Sequence, residues 1–395
     1  MTHPARRIFL VAGEASGDLY GSLLVRSLKF LDPGLSFEGI GGPRLGEQGV
    51  RLFADSRDLA VVGLVEVLGH WKPIRRAYRH AVEILKCAPP DLLVLIDYPD
   101  FNLRLAREAH RVGVPVVYFI GPQVWAWRKS RLQSIARTVA LMLVILPFEE
   151  EIYRGAGVPV RFVGHPLLDI LPEPQHREEA RRRLGLDSNR RVLGLLPGSR
   201  RRELASHFPV MLESAALLRK KVGDFMIVVP LASTLRTSDF QPFLESRNDL
   251  PEIRLVEGPP GGALGAMDAA VIKSGTATLE AALMGVPMVV VYRTNPLTYA
   301  LASLLAEVPH VGLVNIVAGK RLVPERVQKD FNPESIVPTL VDYLGDPPRM
   351  ETLRQDLLSL RGRLGQPGCF RRSAREILSL LDGPAAGTGE MRSHG

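Results

Sequence analysis

The feature that most limits what this chain can fold into is a rhythm. Short apolar runs recur at 8–12, 92–96, 114–120 and 139–146, and again at 192–196, 226–229, 269–272 and 289–291. Between them apolar residues return at three- and four-residue steps. Trp71, Ile74, Tyr78, Val82 and Leu85 form one such stripe, and Leu204, Phe208, Met211, Ala215 and Leu218 another. Runs that are apolar throughout read as strands buried on both faces, and the stripes as helices laid over them. The pattern therefore predicts parallel sheets covered by helices.

The rhythm breaks once. Gly164-His165-Pro166 closes the first series, and Leu171-Pro172-Glu173-Pro174 is a stiff connector. With 395 residues the chain is long enough for two domains of ordinary size. We read 1–165 and 166–348 as two doubly wound, Rossmann-like α/β domains. Segment 349–382 is helical with no strand after it and is expected to pack back on the first domain. The small, polar tail 383–395 is expected to be disordered.

A composition of 46% hydrophobic and 23% charged residues excludes wholesale disorder. A formal net charge of +8 admits nucleic acid, an anionic membrane surface or a phosphorylated small molecule as partner. No basic–aromatic interleaving supports nucleic acid. Cys87 and Cys369 have neither metal-ligand nor disulfide spacing, which points to a reducing, cytosolic compartment. No apolar run is long enough to span a bilayer or to form a signal-peptide core.

Doubly wound sheets bind ligands beyond the carboxyl ends of their strands, so the turns after the apolar runs hold the candidates. Gly13-Glu14-Ala15-Ser16-Gly17-Asp18 follows the first run. Its acids would repel a dinucleotide pyrophosphate. Glu14 could hold sugar hydroxyls or lie exposed, while Ser16 or Asp18 caps the next helix. Asp97, directly after 92–96, suits a general base for a hydroxyl nucleophile. Asp100 reads as a cap, and no His or third acid accompanies the pair as in a metal site. Trp125 and Trp127, in the loop after 114–120, could stack on a sugar or an acyl chain, or pack the loop.

In the second half, Pro197-Gly198-Ser199-Arg200 opens a helix and offers free N–H groups and a guanidinium to an anion. Arg201 and Arg202 read as solvent-facing charges. Ser274-Gly275-Thr276 repeats the strand–turn–helix pattern, with Glu280 one turn further on and in reach of ribose hydroxyls. The alternative is an ordinary helix capped by Ser274 or Thr276. Asn315, in an apolar loop, could cap a structural turn or bind donor groups.

These residues lie in segments that resemble the lipid-A-disaccharide synthase family. The segments are VAGEASGD (11–18), GIGGPRL (39–45), VVGLVEVLG (61–69), IDYPDFN (96–102), GPQVWAWR (121–128), LPFEEEIY (146–153), FVGHPLLD (162–169), LLPGSRRREL (195–204), SGTATLEAAL (274–283) and VGLVNIVAG (311–319). They run in family order to about Leu381. The resemblance implies the GT-B arrangement, two Rossmann-like domains facing across a cleft, and an inverting, metal-independent hexosyltransferase without a cofactor. The donor would be UDP-diacylglucosamine and the acceptor the primary hydroxyl of diacylglucosamine 1-phosphate (lipid X). The products would be a β-linked tetraacyl disaccharide 1-phosphate and UDP, as in the lipid A synthesis of Gram-negative bacteria.

By the same resemblance Asp97 matches the base, and Glu14, Arg200 and Asn315 match positions important for activity. Ser274, Gly275, Thr276 and Glu280 match the UDP-holding segment. Ser199 and Arg200 are read beside them as phosphate contacts, so that helix N-termini and an Arg stabilise the leaving pyrophosphate. Acylated substrates imply work at the inner face of the cytoplasmic membrane. The basic face Lys72, Arg75, Arg76, Arg79 and Lys86, beside Leu68 and Trp71, would suit anionic lipid. Exchange of the trailing helices between two copies would give a homodimer. The chain departs from the pattern at Ala15 and Tyr98, which offer no chemistry, and at Lys273, which either adds a phosphate contact or lies exposed. The rival readings are a UDP-N-acetylglucosamine epimerase, a peptidoglycan transferase, or a non-catalytic nucleotide-sugar-binding module.

Overall fold

The computed structural model describes residues 6–56, 67–122, 124, 131–174, 177–245, 247–258, 261–295, 299 and 309–383, with backbone only for 67–71. Trp125, Trp127 and Arg128, the side chains of Leu68 and Trp71, most of the 61–69 segment and the tail from 384 lie outside the described residues. Two compact units result. One holds the chain up to Asp169 and again from Gly365; the other is Ile170–Leu364.

The first unit is built on parallel strands β1 (Arg7–Ala12), β2 (Ser36–Gly41), β3 (Arg51–Asp55), β4 (Leu92–Ile96), β5 (Val116–Phe119), β6 (Leu141–Val144) and β7 (Val160–Phe162). Their order across the sheet is β3-β2-β1-β4-β5-β6-β7. The second unit has parallel strands β8 (Val192–Leu196), β9 (Met226–Pro230), β10 (Glu252–Val256), β11 (Ala269–Lys273), β12 (Met288–Tyr292) and β13 (Glu325–Val327), ordered β10-β9-β8-β11-β12-β13. The apolar runs are the central strands, buried from end to end in β1, β4 and β12 apart from their terminal residues.

Every edge strand escaped the apolar-run reading. β3, β7, β10 and β13 are partly exposed and each carries at least one charged residue. An edge strand has one neighbour and one open flank, so burial does not demand a continuous apolar run there. The runs at 114–120 and 139–146 are also longer than the strands inside them. Val114, Val139 and Leu146 are buried beyond the strand ends, so apolarity reports burial and not the hydrogen-bonded ladder.

Nine helices matter for the site: α1 (Ala15–Leu31), α2 (Val67–Cys87), α3 (Pro99–Arg111), α4 (Arg201–Val222), α5 (Thr276–Leu283), α6 (Leu313–Ala318), α7 (Pro333–Gly345), α8 (Pro347–Arg363) and α9 (Cys369–Leu381). On α4 the stripe Leu204, Phe208, Met211, Ala215 and Leu218 is wholly buried in the core of the second unit. On α2 the buried residues are Ala77, Ala81 and Leu85, while Lys72, Arg75, Arg76, Arg79 and Lys86 are exposed.

The trailing segment does not pack as one piece on the first domain. Only α9 does so, with Phe370 ring centroids 6.4 Å from Tyr20 of α1 and 6.2 Å from Phe119 of β5. Helix α8 stays in the second unit because its arginines reach backbone carbonyls there. Arg354 donates to Asp268 O at 3.0 Å, Arg361 to Leu283 O at 3.2 Å and Arg363 to Ala318 O at 2.9 Å. The last two acceptors are the terminal carbonyls of α5 and α6, where a cation is favoured. The boundary also falls later than Gly164-His165-Pro166. Asp169 belongs with the first unit because its carboxylate takes the N–H groups of Gly368 and Phe370 as α9 begins.

Candidate active site

In each sheet the strand order reverses once, between neighbouring strands. In the first unit these are β1 and β4, paired from Ile8↔Leu92 to Ala12↔Ile96. In the second they are β8 and β11, paired from Ala269↔Leu193 to Ile272↔Leu196. Helices leave such a pair in opposite directions, which opens a crevice at the carboxyl ends. Glu14 follows β1 and Asp97 follows β4. Ser199 and Arg200 follow β8, and Ser274, Gly275 and Thr276 follow β11. The sequence-predicted residues therefore fall into two groups, one at each reversal, with Asn315 apart.

The two turns of the first unit interlock. A Cβ on Gly13 would lie 2.3 Å from Cδ1 of Tyr98, so only glycine lets the Tyr98 ring rest on the backbone beside Glu14. Burial, followed by the charges of Glu14 and Asp100, pushes the Tyr98 phenol up to about 12. Asp97 and Tyr98 both have left-handed backbone, with φ of +47° and +48°, and Ile120 after β5 has φ of +61°. Strain of this kind in non-glycine residues gathers at functional sites. Asp97 is half-buried, while Asp100 is exposed and paired with Arg131.

Neither Ser16 nor Asp18 caps α1. The cap position is Glu14, and no side chain there accepts a helix N–H. Asp18 is buried and caps a different helix, taking the N–H groups of Gly42 at 2.7 Å, Arg44 at 3.1 Å and Leu45 at 3.1 Å. That accounts for the third glycine of the GIGGPRL segment, since a Cβ on Gly42 would lie 2.6 Å from the Asp18 carboxylate.

In the second unit Arg200 is the cap residue of α4, its side chain 44% exposed at the turn. Beneath the turn Glu203 folds back to accept the Ser199 N–H at 2.9 Å. Gly198, with φ of +118°, makes room for it. Lys273 is neither exposed nor a free phosphate contact: its ammonium lies 2.9 Å from Glu203 and 5.6 Å from the Tyr292 ring centroid. Burial raises the Glu203 pKa, but Lys273, the Ser199 N–H and Arg200 together hold it below the ordinary value.

The Ser274–Thr276 turn is not an ordinary capped helix. The cap residue of α5 is Gly275, with φ of +154° and no side-chain cap bond. Ser274 spends its hydroxyl hydrogen on Val311 O at 2.7 Å, and Thr276 is exposed. The first N–H groups of α5 are thus left without a capping oxygen, beside two hydroxyl groups. One turn on, burial pushes the Glu280 carboxyl up to about 7. No described residue donates a hydrogen bond to that carboxyl.

Asn315 is fully buried and its amide is used completely. Nδ2 donates to Val323 O at 2.9 Å and to Glu325 Oε1 at 2.8 Å, and Oδ1 accepts from Leu322 N at 2.9 Å and Val323 N at 3.0 Å. It has no capacity left for a substrate and acts as a strut. Glu325 continues the strut by accepting the N–H groups of Val311 at 3.0 Å and Gly312 at 2.9 Å, and Val311 O holds Ser274. The sequence assigns no role to Glu325, Glu203, Asn102 or Tyr118. Glu203 and Asn102 lie inside the LLPGSRRREL and IDYPDFN segments, Glu325 shortly after the 311–319 segment and Tyr118 inside an apolar run. Among the described residues no group of three or more His, Cys, Asp and Glu could hold a metal ion.

The family model for lipid-A-disaccharide synthetase matches residues 8–370. A lipid-A-disaccharide synthase of Geobacter sulfurreducens is 49% identical over 377 residues, covering 95% of this chain and 98% of its own. Among solved structures, the calicheamicin glycosyltransferase CalG4 superposes with a TM-score of 0.60 at 17% identity, covering 97% of this chain and 100% of its own. A UDP-GlcNAc 2-epimerase of Neisseria meningitidis, bound to UDP-GlcNAc, gives a TM-score of 0.63 at 13% identity, covering 94% and 99%. The structural likenesses show the GT-B fold. They do not choose between transferase and epimerase, which the sequence family does.

Proposed function

Because this chain belongs to the lipid-A-disaccharide synthase family and is a glycosyltransferase of lipid A biosynthesis, we propose that its second unit holds UDP-diacylglucosamine and that Asp97 of the first activates lipid X. The observation that carries this reading is the N-terminus of α5. It lies at the strand-order reversal without a side-chain cap and has an unpartnered carboxyl one turn below. An uncapped helix start favours a phosphate, and a carboxylate set back from it suits ribose hydroxyls. Arg200, at the neighbouring turn, supplies a part-exposed guanidinium for the pyrophosphate.

In the reaction Asp97 takes the proton of the acceptor's primary hydroxyl as that oxygen attacks the anomeric carbon. The anomeric C–O bond breaks with inversion, and UDP leaves with the electron pair. The helix N-terminus and Arg200 meet the charge that grows on the pyrophosphate. Glu14, locked to the Asp97 turn through Gly13 and Tyr98, is in place to orient a sugar hydroxyl. Asn315 supports the donor turn through Glu325 and Val311. The test is to mix UDP-diacylglucosamine with lipid X and follow disaccharide and UDP, with and without EDTA. Absence of disaccharide would sink the substrate assignment, and loss with EDTA would sink the metal-free route.

The acylated substrates place the work at the inner face of the cytoplasmic membrane. Among the described residues no helix is long and apolar enough to cross a membrane. The exposed basic face of α2 suits anionic headgroups. Liposomes with and without anionic lipid test this. Arg75→Glu/Arg76→Glu/Arg79→Glu should lose co-sedimentation with the anionic set, and unchanged binding would rule the face out.

A further inference from the structure

The backbone carbonyl of Asp97 receives hydrogen bonds from two buried side chains. Tyr118 Oη donates to it at 2.6 Å, and Asn102 Nδ2 at 2.7 Å. Asn102 Nδ2 also reaches Ile96 O at 3.3 Å. Tyr118 and Asn102 are wholly buried, on β5 and α3, among the apolar residues of the first unit. We infer that Tyr118 and Asn102 are positioning residues for the transfer reaction. They clamp the peptide after Asp97 so that its carboxylate is presented in one orientation.

The physical case has three parts. Two successive non-glycine residues in left-handed backbone do not persist unless their surroundings over-determine them. Asp97 tolerates that region better than Tyr98 does, so the pair needs an external hold. The bonds to Asp97 O provide one. They fix the plane of the 97–98 peptide and with it the ψ of Asp97 and the φ of Tyr98.

The clamp is also not what a core chosen for stability alone would contain. Asn102 Oδ1 is buried and has no hydrogen-bond partner. Turning the amide over would not relieve this, because it would set the oxygen against two carbonyl oxygens. A buried acceptor left bare costs more than an apolar replacement of the same shape. A cost of this kind beside a strained turn is expected where function demands geometry. Tyr118 remains a donor throughout, since burial and then the charge of Asp97 keep its phenol protonated.

The inference rests on Asp97 being the base, and a double-mutant cycle separates the two claims. The purified full chain is assayed for disaccharide formation as wild type, Tyr118→Phe, Asp97→Asn and the double variant, alongside thermal melts. Tyr118→Phe keeps the ring and loses one donor. It should lower kcat by roughly tenfold or more, as a misaimed base would, while KM for the donor stays within about twofold. On the Asp97→Asn background the same change should have no further effect, because there is no base left to aim.

An undiminished kcat in Tyr118→Phe, or an equal fold-loss on the Asp97→Asn background, would overturn the positioning role while leaving the base in place. Full activity in Asp97→Asn would remove the base and the clamp's purpose together. If Tyr118→Phe melts below the assay temperature, Asn102→Ala takes its place in the cycle. It removes one donor and the bare acceptor at once, and the same outcomes decide.

Discussion

Glu280 offers the sharpest quantitative test. Burial raises its pKa from 4.5 to about 7. In the unfolded chain the carboxyl ionises near its ordinary value, and in the folded protein it holds its proton some 2.5 units longer. A raised carboxyl pKa opposes folding. The penalty is absent below about pH 4.5, grows between there and pH 7, and levels off above pH 7 at about 3 kcal/mol. Glu280→Gln removes the titration and keeps the shape. Its stability relative to wild type should climb across that window, from near zero at pH 4.5 to about 3 kcal/mol at pH 8, read from urea unfolding midpoints.

The donor reading reverses the sign for ligand. Ribose hydroxyls that hydrogen-bond the carboxylate stabilise its ionised form, so UDP should pull the Glu280 pKa down and release a proton on binding near pH 6. Calorimetry in two buffers of different ionisation enthalpy reads that proton directly. The release should vanish at pH 8 and in Glu280→Gln, and the variant should bind UDP about tenfold or more weakly at pH 8. A variant that is more stable yet binds UDP as well as wild type at pH 8 would refute the ribose role and leave only a buried acid. A stability difference flat with pH would refute the burial argument itself.

Lys273→Met leaves Glu203 with only the Ser199 N–H and Arg200 and should cost about 2 kcal/mol in urea unfolding; adding Glu203→Gln should restore part of it. Asn315→Ala breaks a fully used amide and should cost about 3 kcal/mol. Because the strut ends at Ser274, steady-state kinetics should show donor KM rising at least as much as kcat falls; a pure kcat loss in a stable protein would instead mean that Asn315 touches the reaction. Gly13→Ala drives a Cβ into the Tyr98 ring and should cost about 2 kcal/mol in thermal melts, whereas in a Tyr98→Ala background it should cost little; equal costs in both would show that the two turns do not interlock.

The alternation of apolar runs and striped helices, read locally, was enough to predict two parallel-sheet units. It was enough also to single out the turns after residues 12, 96, 196 and 273, which lie at the two strand-order reversals. Periodicity and turn composition belong to short stretches of chain, and burial on both faces of a central strand leaves a local trace. The edge strands left none, because a strand with one open flank is free to carry charge.

What the tertiary structure alone decided is which groups meet. Glu203 and Glu280 are the same residue type, each within about a turn of a helix start beside a small-residue turn. One is held below its ordinary pKa by a lysine 70 residues away, and the other is raised to about 7 for want of any partner. Asp18 resembled a cap of its own helix and caps another, 24 residues on. Asn315, open in the sequence between a structural turn and donor binding, is fully bonded within the protein. Arg361 and Arg363 of α8 close the ends of two helices distant in the sequence. A side chain's role is set by the partners that folding brings to it, and in a doubly wound sheet those partners come from strands and helices distant in the sequence. The sequence alone therefore singled out the turns proposed for chemistry, while the strand order and long-range pairing determined which groups meet in each of them.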